Sequence, residues 1–485
     1  MIRSIIAVIL GFAVLLTLCR GASTYAEAPQ KNVLLIIIDD LRPNLGCYGD
    51  PIVITPNIDR LAASGTRFSA AYCQYPVCNP SRISFLTGMR PDTTGAYRNS
   101  DIFHRRFADT LTINRYVQQF GYEAIGLGKI YHASNGGEGA WTQPYLNSKW
   151  LDYASTENRR RVGERRRMTL REAGLPYAEH EDVADNMYCD GAMADSAIER
   201  MEQLAQDDKP FLMIVGFRHP HLPWNAPKRY WDLYNDKDIQ PAANDFFPKG
   251  APAPALKPEG GELFGYAGLA PTPEALTEQE KRKLIQSYYA CVSYADAQAG
   301  RLLDALETNQ LEDNTLVMLW GDHGYHLGEN HVWAKEVNWE RNHHAPLIIR
   351  DPGHGNPGQH TTALTEYVDI FPTVCDALGI PVPSQCEGQS LLPLLDNPAA
   401  PWDMIAFSQY LRGNIMGRSI RTKRYRFTLW ENENGALEGV ELYDYQIDPE
   451  GNTNLAAEPK NAPLVAAMTK RHREHWPAPH PHKTE

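Results

Sequence analysis

The chain has 485 residues, which suits one large α/β domain with a smaller appendage, because single hydrophobic cores stop growing at about 250–300 residues. Hydrophobic residues make up 43% and charged residues 22% of the sequence, which excludes a disordered, collagen-like or coiled-coil chain. The formal net charge of -12 excludes a protein that mainly neutralises nucleic-acid phosphates, so we expect no nucleic-acid partner.

The first 28 residues have the features of a secretory signal peptide. Arg3 gives a short basic start, residues 5–18 form an apolar run, and Ala26 and Ala28 mark a small-residue cleavage site. The apolar run has roughly 14 residues, whereas a membrane-spanning helix needs about 20. We therefore expect a protein that is secreted or periplasmic, or lysosomal, without a stable membrane anchor.

Between residue 31 and about residue 395, short apolar runs alternate with helical patterns. The clearest predicted strands span residues 33–38, 123–128, 211–217, 315–320 and 346–350. They lack polar alternation, which is typical of parallel strands buried on both faces. Helix candidates lie between them, for example over residues 193–205 and 280–307. The pattern predicts an α/β fold in which helices cover a large sheet.

Two later segments differ from this pattern. Residues 225–277 are rich in Pro, Gly and Ala and form a long insertion, which we expect to frame a substrate cleft. After residue 395, short alternating segments with Asp-Pro and Glu-Gly turns predict antiparallel strands. We therefore expect a main α/β domain over residues 29–395 and a smaller α+β domain with an antiparallel sheet over residues 396–485.

Polar side chains follow four of the predicted strands. In chain order they are Asp39 and Asp40, Lys129 and His132, His219 and His221, and Asp322 and His323. Because the carboxyl ends of parallel strands share one edge of a sheet, these residues can converge on one site. Three gathered carboxylates repel one another, and a hard cation such as Ca²⁺ or Mg²⁺ compensates them. We interpret Asp39, Asp40, Asp322 and His323 as a metal site, although an Asp after a strand is also a common helix cap.

The segment from Val77 to Gly88 combines a cysteine with a helix start. A helix beginning near Pro80 puts Cys78 beside free backbone N–H groups, where an anion is favoured, and Arg82 lies one turn further on. The alternative is an ordinary buried or disulfide-bonded cysteine.

An odd number of cysteines follows the predicted cleavage site. Of the 8 cysteines, all but Cys19 remain, which indicates at least one thiol with a separate role. The turn between Cys375 and Cys386 allows a disulfide between these two.

The Cys78-Asn79-Pro80-Ser81-Arg82 segment and the following Thr87-Gly88 turn resemble the signature of the type I sulfatases, members of the alkaline phosphatase superfamily. Further segments appear in the order found in iduronate 2-sulfatases and their bacterial relatives: DDLRP (39–43), LGCYG (45–49), TPNID (55–59), GMRPD (88–92), GK (128–129), DHG (322–324) and WAK (333–335). The resemblance covers about residues 31–455. It implies a large mixed, mostly parallel sheet sandwiched by helices, with a smaller C-terminal antiparallel sheet.

The resemblance also implies the cofactors. Cys78 is expected to be oxidised to Cα-formylglycine by a formylglycine-generating or equivalent maturation enzyme, and the hydrated aldehyde is the nucleophile. Asp39, Asp40, Asp322 and His323, together with residue 78, are expected to hold Ca²⁺. His323 is typical of the iduronate branch, since many other sulfatases carry Asn there.

Roles for the remaining residues follow from the same resemblance. Arg82, Lys129 and Lys335 are expected to balance charge on the sulfuryl oxygens. His221, or alternatively Lys335, protonates the leaving sugar oxygen. His132 or Asp40 helps the hydrate to expel sulfate.

The expected substrate is a sulfated carbohydrate whose O-sulfate ester is hydrolysed, most closely a 2-O-sulfated uronic acid residue. His219, Lys129 and Lys335 are predicted to bind it, although iduronate enzymes carry Lys where this chain has His219. The pair His343-His344 replaces a single His, and one of the two either packs under the neighbouring strand or contacts the sugar.

Two other functions remain open. One is a phosphomonoesterase or phosphodiesterase of the same superfamily, against which the single metal cluster and the Cys78–Arg82 segment count. The other is a secreted carbohydrate-binding protein in which Cys78 is never converted.

Overall fold

The computed structural model describes residues 31–477 except residues 102–109, 133–138, 148–151, 208, 258, 260 and 403–404. The predicted signal peptide therefore lies outside the described residues. Within the described part of the chain, no helix is both long and apolar enough to cross a membrane.

The strands form a seven-stranded sheet, a four-stranded sheet and two small two-stranded ribbons. In chain order they are β1 (Asn32–Ile38), β2 (Thr66–Phe68), β3 (Ala71–Tyr72), β4 (Glu123–Gly128), β5 (Ala178–Glu179), β6 (Phe211–Phe217), β7 (Trp224–Asn225), β8 (Thr315–Gly321), β9 (Leu347–Arg350), β10 (Gln359–Thr361), β11 (Thr365–Glu366), β12 (Ile405–Arg412), β13 (Ile415–Thr422), β14 (Tyr425–Asn432) and β15 (Leu437–Asp444).

Helices lie between the strands of the main sheet and after the last strand. The α-helices are α1 (Pro56–Ser64), α2 (Cys78–Thr87), α3 (Pro91–Thr94), α4 (Ile113–Gln118), α5 (Thr156–Glu164), α6 (Cys189–Leu204), α7 (Lys228–Trp231), α8 (Glu278–Thr308), α9 (Glu340–His343), α10 (Ile370–Ala377), α11 (Leu392–Asp396) and α12 (Ala462–His475). Short 3₁₀ helices occur at Gly46–Tyr48, Asp185–Met187, Asp236–Asp238, Ala253–Ala255, Glu262–Gly265, Pro273–Ala275, Glu312–Asn314, Glu329–His331, Tyr367–Asp369 and Pro459–Asn461.

The seven-stranded sheet has the order β10-β2-β9-β8-β1-β6-β4. Strand β1 lies inside it and pairs in parallel with both β6 and β8, so that Val33 stands opposite Leu212 and Leu316. Strand β4 is parallel to β6, whereas β9 is antiparallel to β8 and β2. The predicted mixed, mostly parallel sheet is confirmed, and the five predicted strands agree with the structure to within one residue.

Both faces of the main sheet are buried, which explains why its strands do not alternate between apolar and polar residues. Alternate residues of β1 enter two different cores. The core that contains Leu34 includes side chains of α1, α6 and α8. The core that contains Val33 includes side chains of α2, α4 and α10.

The long helix α8 begins with a capping box. Thr277 Oγ1 accepts the N–H of Glu280 at 3.2 Å, and Glu280 Oε2 accepts the N–H of Thr277 at 2.8 Å. Two otherwise unpaired N–H groups are thereby satisfied, so the helix starts two residues before the predicted position. Helix α6 likewise begins four residues earlier than predicted, at Cys189.

The four-stranded antiparallel sheet β12–β15 follows the main part of the fold, as predicted. One face packs on α12 through residues such as Phe427 and Met468. The other face, with Trp430, packs on Tyr75 and Val77. In addition, the N–H of Leu411 donates to Tyr75 Oη at 2.8 Å. The small sheet therefore supports the chain that leads into Cys78.

The expected disulfide between Cys375 and Cys386 is wrong, because both are free thiols. Cys375 is fully buried on α10 in the core below the sheet. Cys386 packs over the turn at the end of α2, where its Sγ lies 3.9 Å from the carbonyl oxygen of Thr87. Each thiol thus fills space as an ordinary apolar side chain.

Candidate active site

The carboxyl ends of β1, β4, β6 and β8 meet at one edge of the main sheet. Backbone hydrogen bonds hold the residues that follow these strands in register. The N–H of Asp39 donates to Phe217 at 3.1 Å, that of Asp322 to Ile38 at 3.1 Å, and that of Lys129 to the carbonyl of Gly216 at 2.7 Å. The predicted convergence of distant polar residues therefore occurs, and its cause is the parallel order of the strands.

A close contact between two glycines allows the end of β4 to approach β6. Gly128 has a φ of 75°, and a Cβ atom there would lie 2.1 Å from the carbonyl oxygen of Gly216. A larger residue does not fit this contact. The chain turns sharply here and directs Lys129 and His132 toward the strand edge.

Helix α2 supplies Cys78 to the same edge. The helix starts at Cys78 after the extended residue Val77, two residues earlier than predicted, and Pro80 lies in the first turn, where its missing N–H costs nothing. Ser81 Oγ donates to the carbonyl of Asp322 and so ties the helix to the end of β8. Cys78 is fully buried.

Three cationic or imidazole nitrogens surround the sulfur of Cys78. His323 Nε2 and Lys335 Nζ lie 3.4 Å from Sγ, and Lys129 Nζ lies 3.7 Å from it. Burial nevertheless raises the pKa of the Cys78 thiol well above its ordinary value, and the charge of Asp39 adds to this effect. The thiol itself is therefore protonated and a poor nucleophile.

The carboxylates beside Cys78 are fully buried and paired with cations. Asp39 contacts Lys129 and accepts from Arg82 Nη2 at 3.2 Å. Burial opposes the charge of Asp39, but Lys129, His221 and Arg82 together hold the pKa of this carboxyl well below its usual range. Asp40, whose φ of 59° is in the left-handed region, contacts Lys335 Nζ at 2.7 Å.

The donor set around Cys78 fits a divalent cation. One ligand atom each from Asp39, Cys78, Asp322 and His323 lies within 4.8 Å of the others, and Asp40 Oδ1 is 3.3 Å from His323 Nε2. Burial, with repulsion from neighbouring carboxylates, raises the pKa of Asp40 well above its usual value despite Lys335. A divalent cation would relieve this repulsion, and its oxygen-rich ligands favour a hard ion.

Arg82 contacts the carboxylates rather than pointing into open space. Its Nε donates to Asp322 Oδ2 at 2.9 Å, and its Nη1 donates to the carbonyls of Lys129 and Ile130. With its contact to Asp39, the fully buried guanidinium joins three of the four strand ends. The described geometry therefore makes Arg82 the residue that orients the carboxylates, whereas the sequence suggested a contact with sulfate.

His221 and His132 line the open side of the cluster. His221 Nδ1 lies 2.6 Å from the carbonyl of Leu222, so Nδ1 carries a proton and Nε2 is directed elsewhere. His132 Nδ1 is buried and has no hydrogen-bond partner among the described residues. Burial, together with the charge of Lys129, lowers the pKa of His132 to about 3, so this ring is neutral near pH 7.

His219, predicted to bind substrate, is turned into the protein. Only 1% of its surface is exposed, and its Nδ1 pairs with Asp190 Oδ2 at 2.7 Å. The adjacent pair behaves similarly. His343 is buried next to Cys73, which agrees with the packing alternative, and His344 Nε2 contacts the carbonyl of Ser69 at 3.0 Å. None of these contacts points toward a ligand.

A cavity of about 370 Å³ opens beside the cluster, between Lys129, His132 and His221. Its wall includes Arg218 and Asp152, which the sequence analysis missed. Arg218 could have been found, because it directly follows β6 in the same way as the other site residues. Glu262, whose Oε1 lies 3.3 Å from Lys335 Nζ, comes from the Pro-rich insertion, and no sequence pattern singled it out.

Two family models match the chain. One, described as Sulfatase, matches residues 31–380, and the other, described as N-sulphoglucosamine sulphohydrolase, C-terminal, matches residues 328–476. The chain is 32% identical to iduronate 2-sulfatase of Homo sapiens, over 90% of this chain and 93% of that protein.

Solved structures share the fold at lower identity. The phosphonate monoester hydrolase from Silicibacter pomeroyi superposes with a TM-score of 0.73 at 22% identity, covering 92% of this chain and 96% of that chain. A protein in complex with its substrate D-glucosamine-2-N,6-O-disulfate gives a TM-score of 0.70 at 22% identity, covering 92% and 98%. These likenesses confirm the architecture and do not identify a substrate.

Proposed function

This chain belongs to the sulfatase family and is a sulfuric ester hydrolase, and we propose that it hydrolyses an O-sulfate ester of a carbohydrate, most closely a 2-O-sulfated uronic acid residue. The observation that carries this proposal is the environment of Cys78. A buried cysteine lies at the start of a helix, among two lysines, a histidine and three carboxylates. The 32% identity to an iduronate 2-sulfatase supports the choice of sugar.

We propose two groups that complete this site. A Cα-formylglycine formed from Cys78 would supply, as its hydrate, an oxygen nucleophile for sulfur, which the protonated thiol does not provide. Ca²⁺ held by Asp39, Asp40, Asp322, His323 and residue 78 would supply Lewis-acid stabilisation of the sulfate oxygens.

The two lysines bind the sulfate group and balance its charge. Lys335 Nζ and Lys129 Nζ approach Cys78 Sγ to 3.4 and 3.7 Å, so both stand beside the reacting atom. Asp40 raises the pKa of buried Lys335 well above its ordinary value, which keeps this side chain cationic. Preformed cations in a dry site stabilise negative charge more strongly than water does.

His221 and His132 move protons. Because His221 Nδ1–H is held by the Leu222 carbonyl, only Nε2 is available to hold a proton for the leaving sugar oxygen. His132 is neutral and its Nδ1 has no partner among the described residues, so it is suited to accept a proton when sulfate is released. Asp40 is the alternative acceptor.

Maturation and export follow from the same proposal. Since Cys78 is fully buried in the fold, an enzyme that converts it must act before the chain folds. A signal peptide over residues 1–28 would bring the unfolded chain to such an enzyme and to the periplasm or cell exterior. We assign residues 29–395 to the catalytic domain and residues 396–485 to the smaller domain.

One experiment tests the function. The mass of the tryptic peptide containing Cys78 is measured on protein from a host with converting machinery, and sulfate release is measured with an unsaturated 2-O-sulfated uronic acid disaccharide. We expect a mass about 18 Da below that of the thiol peptide, together with sulfate release.

Each other outcome has a definite meaning. Conversion without release from the disaccharide would keep the sulfatase and contradict the sugar. An unmodified thiol in two converting hosts would contradict the formylglycine proposal. Hydrolysis of phosphate esters by that protein would then support the phosphoesterase, and sugar binding without turnover would support the binding protein.

Replacing His221 by alanine should affect esters according to their leaving group. We expect kcat for a sugar sulfate to fall about 100- to 10,000-fold, because its alkoxide must be protonated. Hydrolysis of 4-nitrophenyl sulfate should change much less, because nitrophenolate leaves without a proton. His360→Ala, at an exposed position of β10, is the control. Equal losses on both esters would rule out proton donation by His221.

A further inference from the structure

The cavity beside His221 has one wall that the reaction does not use, and this wall carries Arg218 and Asp152. We propose that Arg218 binds a carboxylate of the sulfated sugar and thereby selects uronic acid substrates. This inference rests on the proposed function and assigns the part of the sugar that points away from the sulfate.

The backbone of Arg218 is held in place by a buried carboxylate. Asp190, at the start of α6, accepts the N–H of Arg218 at 2.7 Å and the N–H of His219 at 2.8 Å. The same carboxylate also pairs with the His219 ring. Asp190 is therefore fully engaged with the loop after β6, and it fixes where the Arg218 side chain begins.

The guanidinium of Arg218 is linked to the proton-donating histidine through a shared acceptor. Its Nη2 donates to the carbonyl of Leu222 at 3.3 Å, and His221 Nδ1 lies 2.6 Å from that oxygen. Arg218 and His221 are thus positioned by one rigid loop. A sugar whose leaving oxygen is next to His221 would place a substituent on the same ring or its neighbour near Arg218.

The contacts of Arg218 suit a planar anion. Its Nη1 contacts the carboxylate of Asp152, so a carboxylate already occupies one side of the guanidinium. The described contacts use one donor on Nη1 and one on Nη2, whereas an Arg side chain has five N–H donors. About a quarter of each partner's side chain is exposed, at 24% for Arg218 and 25% for Asp152.

The charges in the cavity favour an anionic substituent over a neutral one. Arg218 and Lys129 line the cavity as cations, while Asp190 is turned toward the loop backbone. A neutral sugar needs no guanidinium, and leaving a cation without an anion in a half-buried wall is costly. A carboxylate matches the planar fork with two parallel hydrogen bonds, which gives it an advantage over a tetrahedral sulfate.

The test measures binding and turnover separately. In a Cys78→Ala background, the affinity for the unsaturated 2-O-sulfated uronic acid disaccharide is measured by calorimetry with and without Arg218→Gln. We expect Arg218→Gln to weaken binding about 10- to 100-fold, the effect of losing hydrogen bonds to a charged group. Binding of the carboxyl-reduced disaccharide should be the same in both proteins.

Turnover by the otherwise unmodified enzyme gives the second readout. Arg218→Gln should raise KM for the uronate and leave kcat/KM for 4-nitrophenyl sulfate unchanged, because that ester has no carboxylate. Arg301→Gln is the matched control, since Arg301 also pairs with a carboxylate, Asp195, but lies on α8. This control should change neither ester.

The outcomes separate this inference from the proposed function. Unchanged uronate affinity, or equal losses for the uronate and its carboxyl-reduced form, would overturn the role of Arg218. A larger loss for an N-sulfated glucosamine than for the uronate would replace the carboxylate by a second sulfate and overturn the assignment. Absence of sulfate release from every ester by the wild type would instead contradict the proposed function, while the calorimetry would still test Arg218.

Discussion

Cys78→Ala is expected to abolish sulfate release, with a loss of about four orders of magnitude or more, because the residue that becomes the nucleophile is removed. The fold should survive. Sγ is fully buried but small, so its removal should cost about 1 kcal/mol of unfolding free energy and leave the thermal transition cooperative. Sulfate release and thermal unfolding of the same preparation provide the measurement.

A second buried cysteine provides the control for Cys78→Ala. Cys291 is also fully buried, but it packs in the core on α8, away from the strand ends. Cys291→Ala should therefore lose a similar amount of stability and keep its activity. Substantial sulfate release by Cys78→Ala would show that another residue attacks sulfur.

Asp322→Asn is expected to weaken Ca²⁺ binding at least about 100-fold and to lower kcat by a comparable or larger factor, because one buried anionic ligand becomes neutral. Asn keeps the shape and one oxygen, so Asp40 N–H retains an acceptor in place of Asp322 Oδ1 at 3.0 Å. Chelation of the wild type should likewise remove activity, and added Ca²⁺ should restore it. Calcium titration of binding and of sulfate release measures both effects.

Stability must be separated from metal affinity in this variant. Asp322 also pairs with fully buried Arg82, and removing one partner of such a pair costs about 3–5 kcal/mol. Asp296→Asn is the matched control, because Asp296 is buried and accepts the N–H groups of Asn57 and Ile58 at the start of α1, away from the site. That variant should be less stable and bind Ca²⁺ normally. Full activity and unchanged affinity in Asp322→Asn would refute the metal assignment.

Much of the fold was predictable because its determinants are local or general. Strands such as β1 and β6 are unbroken apolar runs, and burial on both faces leaves no other arrangement for them. Their parallel order follows from helical crossovers, and parallel order alone brings Asp39 and Asp322 to one edge although 282 residues separate Asp40 from Asp322. The exact helix starts were less predictable, since the capping of α8 and the extended Val77 before α2 depend on contacts around each terminus.

The sequence by itself determined the strands, the residues after them and the segment around Cys78, because each is encoded in a short stretch of chain. Only the tertiary structure decided where the side chains point. It directs Arg82 to Asp39 and Asp322, buries His219 against Asp190 and leaves Arg218 to line the cavity. It also leaves Cys375 and Cys386 as free thiols. Side-chain direction after a strand depends on which charged and polar partners the packed elements bring within hydrogen-bond distance, and such partners lie far apart in the chain.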